Sequence, residues 1–487
     1  MKNIMENKKQ IISDFIDEEL TTLATSLNKY LKINGKKLNT RAEYDIIQQD
    51  IDNFIENNTS KRFITMPGLR GVGKTTILYQ IYDYLLNEKN IPYTQILYIS
   101  CERFNNLVDC NIREIVDIYL KNYHDTKLRT LDKKIFLLID ESQYDKNWAI
   151  SGKIIYDSTN NIFMIFTGSS ALNLEYNADT ARRLQKNYIT PLNYGEHIKL
   201  KYNYTTTNIS NSIQELIFEG KIDNAIKCEN EINNTLIKLD NYKSTDWDEY
   251  LKYGGFPILF ENKEPGDISK NLVDMVKKII NTDMLNIKNF SAENQAIANR
   301  ILRFLALQNA GDISQNKLSK NLNTSSSNIR NILDILEKTH IIFHCNPYGT
   351  SSKRIKKAWK YYFATSSIKH ALVSEMGNSI KKTEQYEGIL LENLVASSLF
   401  NVYCQENIYF DLYYDANKEG NVDFLIRKAF ENPIPIEVDH GKKDKRQIFE
   451  AIKNYGSEYG IIVSNEAKNI KKEDNVISIH PRTFAFL

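Results

Sequence analysis

Cysteines are few in this sequence, and they are widely dispersed. The chain has five cysteines in 487 residues, no two of them form a CxxC pair, and no histidine stands near them at a zinc-finger spacing. This pattern argues against a disulfide framework and against a structural zinc site. We therefore expect reduced, mostly buried thiols in a cytoplasmic protein. The five are Cys101, Cys110, Cys228, Cys345 and Cys404.

Long apolar runs are also missing, and neither sign of charge is in excess. No window approaches the ~20 consecutive apolar residues that are needed to span a bilayer, and acidic residues follow the opening MKNIMENKKQ. We therefore expect no membrane segment. The 63 basic and 61 acidic residues leave a net charge of +2. This balance neither favours nor excludes nucleic acid as a partner, so only local clusters of charge can decide the question.

The arrangement of apolar residues changes several times along the chain. Residues 1–60 carry apolar stripes at helical spacing, including Ile12, Phe15 and Ile16. Short apolar runs such as FITM, ILYIS, IFLLID and IFMIFTG then alternate with helical stretches, which is typical of βαβ units around a buried parallel sheet. Polar, helix-like sequence follows from about residue 196, and the last hundred residues return to a mixed pattern. The sequence therefore predicts an α/β protein of two to four domains.

The stretch GLRGVGKTT, residues 68–76, follows one of these strands and opens an amphipathic helix. It fits the P-loop pattern GxxxxGK[ST], whose glycines let successive backbone N–H groups face phosphates at a helix N-terminus. Lys74 would reach the β- and γ-phosphates of ATP, and Thr75 would bind Mg²⁺. The alternative is a glycine turn that binds nothing, but the flanking strand and helix favour a nucleotide site. The predicted binding residues in the loop are Gly68, Gly71, Val72, Gly73, Lys74, Thr75 and Thr76.

A second buried strand, in KKIFLLIDESQ, ends in two acidic residues. Asp140 would hold the water shell of Mg²⁺, and Glu141 stands where a base can polarise the attacking water. The alternative is the solvated end of an ordinary strand. Together with the upstream loop, the two acids favour hydrolysis of ATP.

A third strand leads into TGSSAL, and two arginines follow it in TARRLQKNYITPL. A hydroxyl here, such as that of Ser169, can sense the γ-phosphate; equally, Ser169 or Ser170 can cap the next helix. Arg182 or Arg183 can neutralise phosphate charge in the transition state, within the chain or from a neighbouring subunit. Solvated helix arginines are the alternative.

These motifs, taken in order with PLNYGEH and the later YGGFP, resemble a known group. They are similar to the prokaryotic AAA-type P-loop ATPases whose C-terminal half carries a winged helix and a PD-(D/E)XK restriction-endonuclease-like domain, of unknown function in most members. The resemblance implies a P-loop NTPase core with a parallel sheet and a helical lid, then those two domains, and it leaves the N-terminal segment without a task. The implied division is an N-terminal helical segment 1–60, an ATPase core 61–195, a lid or linker 196–290, a winged-helix domain 291–370 and a nuclease-like domain 371–487.

Residues 297–338 hold three short helical patterns, and the strands HIIFHC and YYFA follow. This succession predicts a winged helix, a unit that often places its third helix in the major groove of DNA. Basic residues between the two strands form a predicted wing that is suited to phosphate contact. Docking of a protein partner is the alternative, since a lysine run is usually a solvated face. The candidates for DNA contact are Lys353, Arg354, Lys356 and Lys357, with Lys360 beside Trp359.

The C-terminal stretches GNVDFLIR and IPIEVDHGKK read as neighbouring antiparallel strands. Asp423 and Glu437 would meet at their ends, and Glu392 would approach from the helix YEGILLENLVASSLF. Such carboxylates can bind Mg²⁺ and activate water against a phosphodiester. The helix RQIFEAIKNYG would follow, with Gln447 at a polar position.

The nuclease-like motif is incomplete at one residue. It requires a lysine two residues after Glu437, on the same strand face, but Asp439 stands there. An aspartate adds repulsion near an anionic substrate, where a lysine would stabilise the developing charge. Lys442 or Lys443 could supply the missing charge from the adjoining loop.

Three functions are compatible with these patterns. The leading one is a Mg-ATP-dependent ATPase that is coupled to a DNA-associated half and can assemble into homo-oligomers. The second is an ATP-regulated, metal-dependent endonuclease in defence or mobile-element biology. The third is a nucleotide-gated scaffold that binds ATP and protein partners.

Overall fold

A computed structural model describes most of the chain, which forms two compact units, Met1–Ile189 and Thr190–Leu487. No helix among the described residues is long and apolar enough to cross a membrane. Seven residues with predicted roles lie outside the described ranges, namely Ser170, Lys353, Arg354, Lys356, Lys357, Lys442 and Lys443. Those ranges are 2–33, 35–57, 59–169, 182–206, 208–261, 264–284, 290–308, 312–313, 315–350, 358–377, 384–405, 408–416, 421–439 and 445–487.

The first unit is built on a parallel sheet of five strands in the order β4-β5-β6-β3-β7. Its strands are β3 (Phe63–Pro67), β4 (Ile96–Ser100), β5 (Ile135–Asp140), β6 (Ile162–Gly168) and β7 (Gln185–Lys186), and a separate two-stranded ladder joins β1 (Lys32–Ile33) to β2 (Lys36–Lys37). The residues of β3, β5 and β6 are all buried. The four strands that the apolar runs predicted are therefore confirmed, since a strand buried on both faces has no polar side to present.

Six helices of the first unit are described. They are α1 (Lys2–Leu31), α2 (Ala42–Asn57), α3 (Lys74–Asp83), α4 (Cys101–Asn105), α5 (Ile112–His124) and α6 (Trp148–Ser158). The predicted N-terminal helix is confirmed as α1, which packs against α3, α5 and β4. Its residues Ile12, Phe15, Ile16 and Leu20 join the same hydrophobic core as Leu97 and Ile99 of β4. Burial of this apolar stripe stabilises the helix far more than its local propensity does.

The second unit contains a nine-stranded sheet of mixed direction, in the order β15-β16-β14-β13-β12-β11-β9-β10-β8. The strands are β8 (Asp312–Ile313), β9 (Ile342–Pro347), β10 (Trp359–Phe363), β11 (Asp411–Tyr414), β12 (Phe424–Arg427), β13 (Ile434–Asp439), β14 (Gly460–Ser464), β15 (Lys471–Glu473) and β16 (Val476–Ile479). The antiparallel pairing of β12 with β13 is as predicted. Strand β11 was not predicted, and it joins β12 to β9.

Helices of the second unit precede, interrupt and follow these strands. They are α7 (Tyr194–Tyr202), α8 (Ile209–Glu219), α9 (Asp223–Leu236), α10 (Asp246–Tyr253), α11 (Pro265–Lys278), α12 (Ala292–Leu307), α13 (Gln315–Asn321), α14 (Ser326–Lys338), α15 (Ser366–Glu375), α16 (Glu384–Cys404), α17 (Arg446–Tyr455) and α18 (Pro481–Phe484). The three helices predicted within 297–338 correspond to α12, α13 and α14. Helices α7 to α10, which the sequence assigned to a lid or linker, share one hydrophobic core with α16 and the C-terminal strands.

Candidate nucleotide site

The P-loop connects β3 to α3 and depends on its glycines. Gly71 and Gly73 have φ of 86° and 98°, in the left-handed region that other residues rarely adopt. Gly68 is required for a different reason. A Cβ at this position would lie 2.4 Å from the carbonyl oxygen of Ile189. The backbone between β3 and α3 can therefore turn tightly enough to present its N–H groups at the helix N-terminus.

Lys74 is buried at the start of α3, and its side chain folds over the loop. Its Nζ donates hydrogen bonds to the carbonyl oxygens of Gly68 at 2.9 Å and Leu69 at 3.2 Å. From this position the ammonium group can exchange loop carbonyls for phosphate oxygens, which are stronger acceptors. Arg41, which belongs to no sequence motif, also braces the loop by donating to the carbonyl oxygen of Val72 at 2.8 Å.

Asp140 lies at the end of β5 and receives hydroxyl groups on both carboxylate oxygens. Thr75 Oγ1 donates to Oδ2 at 2.8 Å, and Thr167 Oγ1 donates to Oδ1. Burial, followed by the charge of Glu141, raises the pKa of Asp140, while the two hydroxyl groups and Lys74 act in the opposite direction. The structure thus brings together Thr75 and Asp140. A hydroxyl and a carboxylate oxygen are hard ligands, so the pair fits the Mg²⁺ that accompanies ATP.

Glu141 is held by contacts on both sides. Its backbone N–H donates to Thr167 Oγ1 at 3.2 Å, and its Oε2 accepts a hydrogen bond from Gln143 Nε2 at 2.5 Å. Gln143 Oε1 in turn accepts the backbone N–H of Ser169 at 3.4 Å. The predicted base and the tip of the third strand are therefore linked through Gln143, a residue without a predicted role.

The two arginines after the third strand are placed differently from each other. Arg183 Nε donates to Asp157 Oδ1 of α6 at 2.7 Å, which makes an ion pair within the first unit. Arg182 is exposed. The described contacts of Arg183 thus attach it to α6 and not to Asp140, so a role for either arginine at a phosphate stays a prediction.

The predicted nuclease-like residues of the second unit fall into two neighbouring groups. In the first, Glu392 accepts the Tyr362 hydroxyl at 2.9 Å, and Lys360 Nζ lies 3.9 Å from its Oε1. Burial, followed by the charge of Asp423, raises the pKa of Glu392 to about 7. Asp423 accepts the backbone N–H of Val438 at 2.8 Å. The structure therefore brings Glu392 and Asp423 within interaction range, with Lys360 beside them.

The second group lines a cavity of about 630 Å³ above β13 and β14. Glu437, Asp439 and Gln447 all contribute to its wall, whereas Glu392 and Asp423 are not among its described lining residues. Within the described parts of the chain, no three His, Cys, Asp or Glu side chains are grouped so that they could hold a metal ion.

Three residues of the first-unit site had no clear signal in the sequence. Arg41 reaches the carbonyl oxygen of Val72 in the loop, Tyr98 reaches Asp140 across paired strands, and Gln143 reaches Glu141. None of the three belongs to a P-loop motif. Gln143 alone stood within a motif already under consideration, two residues after Glu141.

The strand order, the glycine loop and the Thr75–Asp140 pair define the first unit as an AAA-type P-loop ATPase core. The profile of an AAA domain matches residues 60–198, which cover this sheet. Two domains of unknown function match later parts of the chain, DUF8612 at residues 244–380 and DUF4143 at residues 387–482.

The chain belongs to the same family as the uncharacterized protein MJ1637 of Methanocaldococcus jannaschii. The two are 32% identical over 476 residues, which span 98% of this chain and 94% of the relative. A second uncharacterized protein of that organism, MJ1544, is 26% identical over 88% of this chain and 83% of its own length. Among solved structures, the Aeropyrum pernix ORC2 protein in ADPNP–ADP complexes is similar at 11% identity and a TM-score of 0.38, over 72% of this chain and 98% of that one. That likeness is too low to support a functional argument.

Proposed function

We propose that this protein hydrolyses ATP with Mg²⁺ in its first unit. The observation that carries the proposal is the contact between the Thr75 hydroxyl and Asp140, 2.8 Å apart, beside a Glu141 that Gln143 holds in place. A P-loop that only bound nucleotide would need no acid at Glu141. An oriented carboxylate next to the metal-binding pair is what activation of a water molecule requires.

Each residue of the site has a distinct task in this proposal. The loop N–H groups and Lys74 bind the phosphates, Thr75 and Asp140 hold Mg²⁺, and Glu141 accepts a proton from the attacking water. Bound Mg²⁺ would neutralise phosphate charge. Arg182 or Arg183 would add positive charge at the γ-phosphate, with Arg182 the candidate to act across a subunit boundary in a homo-oligomer.

The test compares Glu141→Gln with the wild-type protein in ATP hydrolysis and in binding of a fluorescent ATP analogue. We expect hydrolysis to fall at least about 100-fold while binding persists, because a general base contributes to the rate and not to phosphate binding. Glu88→Gln, at an exposed position of the same unit, is the matched control and should change neither quantity.

Two results would contradict this proposal. Hydrolysis that survives Glu141→Gln unchanged would remove Glu141 as the base. Binding of ATP without measurable hydrolysis by the wild-type protein would favour the nucleotide-gated scaffold instead.

We further propose that the second unit works on DNA. The support for a winged helix is that α12, α13 and α14 precede an antiparallel ladder in which β10 lies between β9 and β8. The support for a nuclease-like domain is the antiparallel pair β12–β13 with Glu392 and Asp423 close together at its end. Asp439 in place of a lysine argues against efficient cleavage of DNA by this domain.

The DNA proposal is tested by ATP hydrolysis with single- and double-stranded DNA over a salt series. We expect DNA to stimulate hydrolysis and the stimulation to fade between about 50 and 200 mM salt, because contacts to phosphate release counterions. The same mixtures, supplied with divalent metals, are scored for cleavage. Cleavage that disappears in Asp423→Ala would support the endonuclease alternative, and a rate that DNA leaves unchanged at every salt concentration would contradict the coupling.

A further inference from the structure

Tyr98 is a third hydroxyl donor to Asp140, and it comes from a different strand than Thr167. Its OH donates to Asp140 Oδ2 at 3.1 Å, on the same oxygen that accepts Thr75. The β4–β5 register places Ser100 opposite Asp140. Because strand side chains alternate, Tyr98 lies on the same face of β4 as Ser100 and can extend along it to the carboxylate. Its side chain is almost completely buried.

Tyr98 is in turn held by two further tyrosines. Tyr79 lies one turn after Thr75 on α3, its OH donates to the Tyr98 OH at 3.5 Å, and the two rings are 5.3 Å apart. Tyr30 of α1 stacks on Tyr79 with the ring centroids 4.7 Å apart and an interplanar angle of 30°. Three aromatic rings thus form a continuous path from the N-terminal helix to Asp140.

We propose that Tyr98 is a positioning residue for Asp140 and that α1 keeps it in place through Tyr30 and Tyr79. The inference rests on the proposed Mg-ATP site, and it gives a task to the N-terminal helix. Tyr98 does not contact the nucleotide in this proposal; it acts through the Asp140 carboxylate alone.

The physical reason lies in how the two oxygens of Asp140 are shared. The Thr75 hydroxyl would also serve Mg²⁺, because its lone pairs can bind the ion while its proton is donated to Asp140 Oδ2. The Tyr98 hydroxyl stays on that oxygen, while Thr167 holds the other one. Partners of this kind orient a metal-binding carboxylate, and losing one typically weakens metal affinity tenfold or more. Thr75, Tyr79, Tyr98 and Asp140 also line a cavity of about 300 Å³, so there is open space beside the Tyr98–Asp140 hydrogen bond.

The experiment measures how much Mg²⁺ is needed for half-maximal binding of a fluorescent ATP analogue, and how well the analogue binds in EDTA. For Tyr98→Phe we expect roughly a tenfold higher Mg²⁺ requirement and unchanged binding in EDTA. A merely structural defect would weaken binding in both conditions. Tyr119→Phe is the matched control, since it removes another buried tyrosine hydroxyl of the first unit, one that donates to the Thr94 carbonyl oxygen at 2.6 Å.

Two further variants keep the inference testable if Tyr98→Phe fails to fold. Tyr79→Phe removes only the donor to Tyr98, and Tyr30→Leu removes the ring from α1; both should raise the Mg²⁺ requirement by a smaller factor than Tyr98→Phe. A requirement equal to that of the wild-type protein in all three variants would overturn the inference. If the inference failed in this way but Asp140→Asn abolished the Mg²⁺ dependence of binding, the proposed function would still stand. A wild-type protein whose binding of the analogue ignores Mg²⁺ would instead overturn the proposed function itself.

Discussion

At the scale of single residues, Glu141 combines an unusual backbone conformation with a fixed side chain. Its φ of 52° lies in the left-handed region, which costs a residue other than glycine of order 1 kcal/mol or more. Such a cost persists only where neighbouring contacts over-determine the conformation. Thr167 and Gln143 supply those contacts, and the carboxylate is consequently set in one place at the end of β5.

His197 is a buried ionisable residue of the second unit, and it makes a testable contribution to stability. It lies among the rings of Tyr194, Tyr250 and Phe260, 5.3 to 5.8 Å away. Neither ring nitrogen has a hydrogen-bond partner among the described residues. Burial, followed by the charge of Lys201, lowers the pKa of His197 to about 3.

The lowered pKa of His197 predicts a loss of stability in acid. In the unfolded chain His197 has a pKa of about 6.5, so it binds a proton below this pH, whereas in the folded unit it stays neutral down to about pH 3. The stability of the unit therefore falls as the pH drops from 6.5 toward 3. Between pH 7 and pH 5 this residue should cost about 2 kcal/mol. His197→Phe should remove that part of the pH dependence and add about 1 kcal/mol at pH 7, because a buried unsatisfied polar group disappears.

Hydrogen exchange of the amides in α7, recorded at both pH values, measures this difference within the second unit. If stability changed by the same amount between the two pH values in the wild-type protein and in His197→Phe, burial would not lower the pKa of His197. Subtracting the change of His197→Phe from that of the wild-type protein cancels the contributions of the other titrating groups.

At the scale of elements, the loop between β3 and α3 admits no side chain at Gly68. Gly68→Ala places a methyl group 2.4 Å from the backbone oxygen of Ile189, so a backbone segment must shift to admit it. We expect a loss of about 1–3 kcal/mol in the free energy of unfolding of the first unit and weaker binding of a fluorescent ATP analogue.

Gly266→Ala is the control for that substitution. It lies exposed in the first turn of α11, and no atom comes within 4 Å of its added Cβ, so stability should stay equal or rise slightly. Thermal unfolding and analogue binding check both variants. If Gly68→Ala bound the analogue as well as Gly266→Ala does, the close approach to Ile189 would not shape the loop.

The elements that sequence patterns predicted are those whose burial is complete or strictly periodic. Strands β3, β5 and β6 are mostly apolar because both of their faces are covered, and α1 carries a stripe at helical spacing. The four-residue strand β11 was not predicted, because so short a segment carries no clear period. The P-loop residues were predicted because their chemistry is local to one turn of chain.

The contacts that complete the site could not be predicted in the same way. Tyr98 and Asp140 are separated by 42 positions, and they meet because β4 and β5 are neighbours in register. Arg41 reaches Val72 from a segment that precedes the core altogether. No local pattern encodes such pairings, so they follow only from the assembled sheet.

At the scale of the whole molecule, the hydrophobic pattern of a helix leaves open which core that helix joins. Helices α7 to α10 carry apolar faces, and the pattern of those faces shows only that they are buried. It does not reveal which core they enter. In the structure they pack with α16 and the C-terminal strands, and Tyr194 N–H donates to the carbonyl oxygen of Ala485 at 2.8 Å. A domain boundary therefore needs tertiary contacts as well as periodicity.

The position of α1 has a consequence for how the ATPase core can be isolated. Strand β4 is the outermost strand of its sheet, and α1 packs against it. On one face of β4, Phe15 of α1 enters the core that holds Leu97. On the other face, Tyr30 of α1 stacks on Tyr79, whose ring contacts that of Tyr98. An uncovered edge strand invites pairing between molecules. A fragment cut at the start of the AAA match, near residue 60, would lose this cover and leave apolar surface exposed. The residues that precede this match therefore belong with the core in any fragment that is meant to remain monomeric and unaggregated.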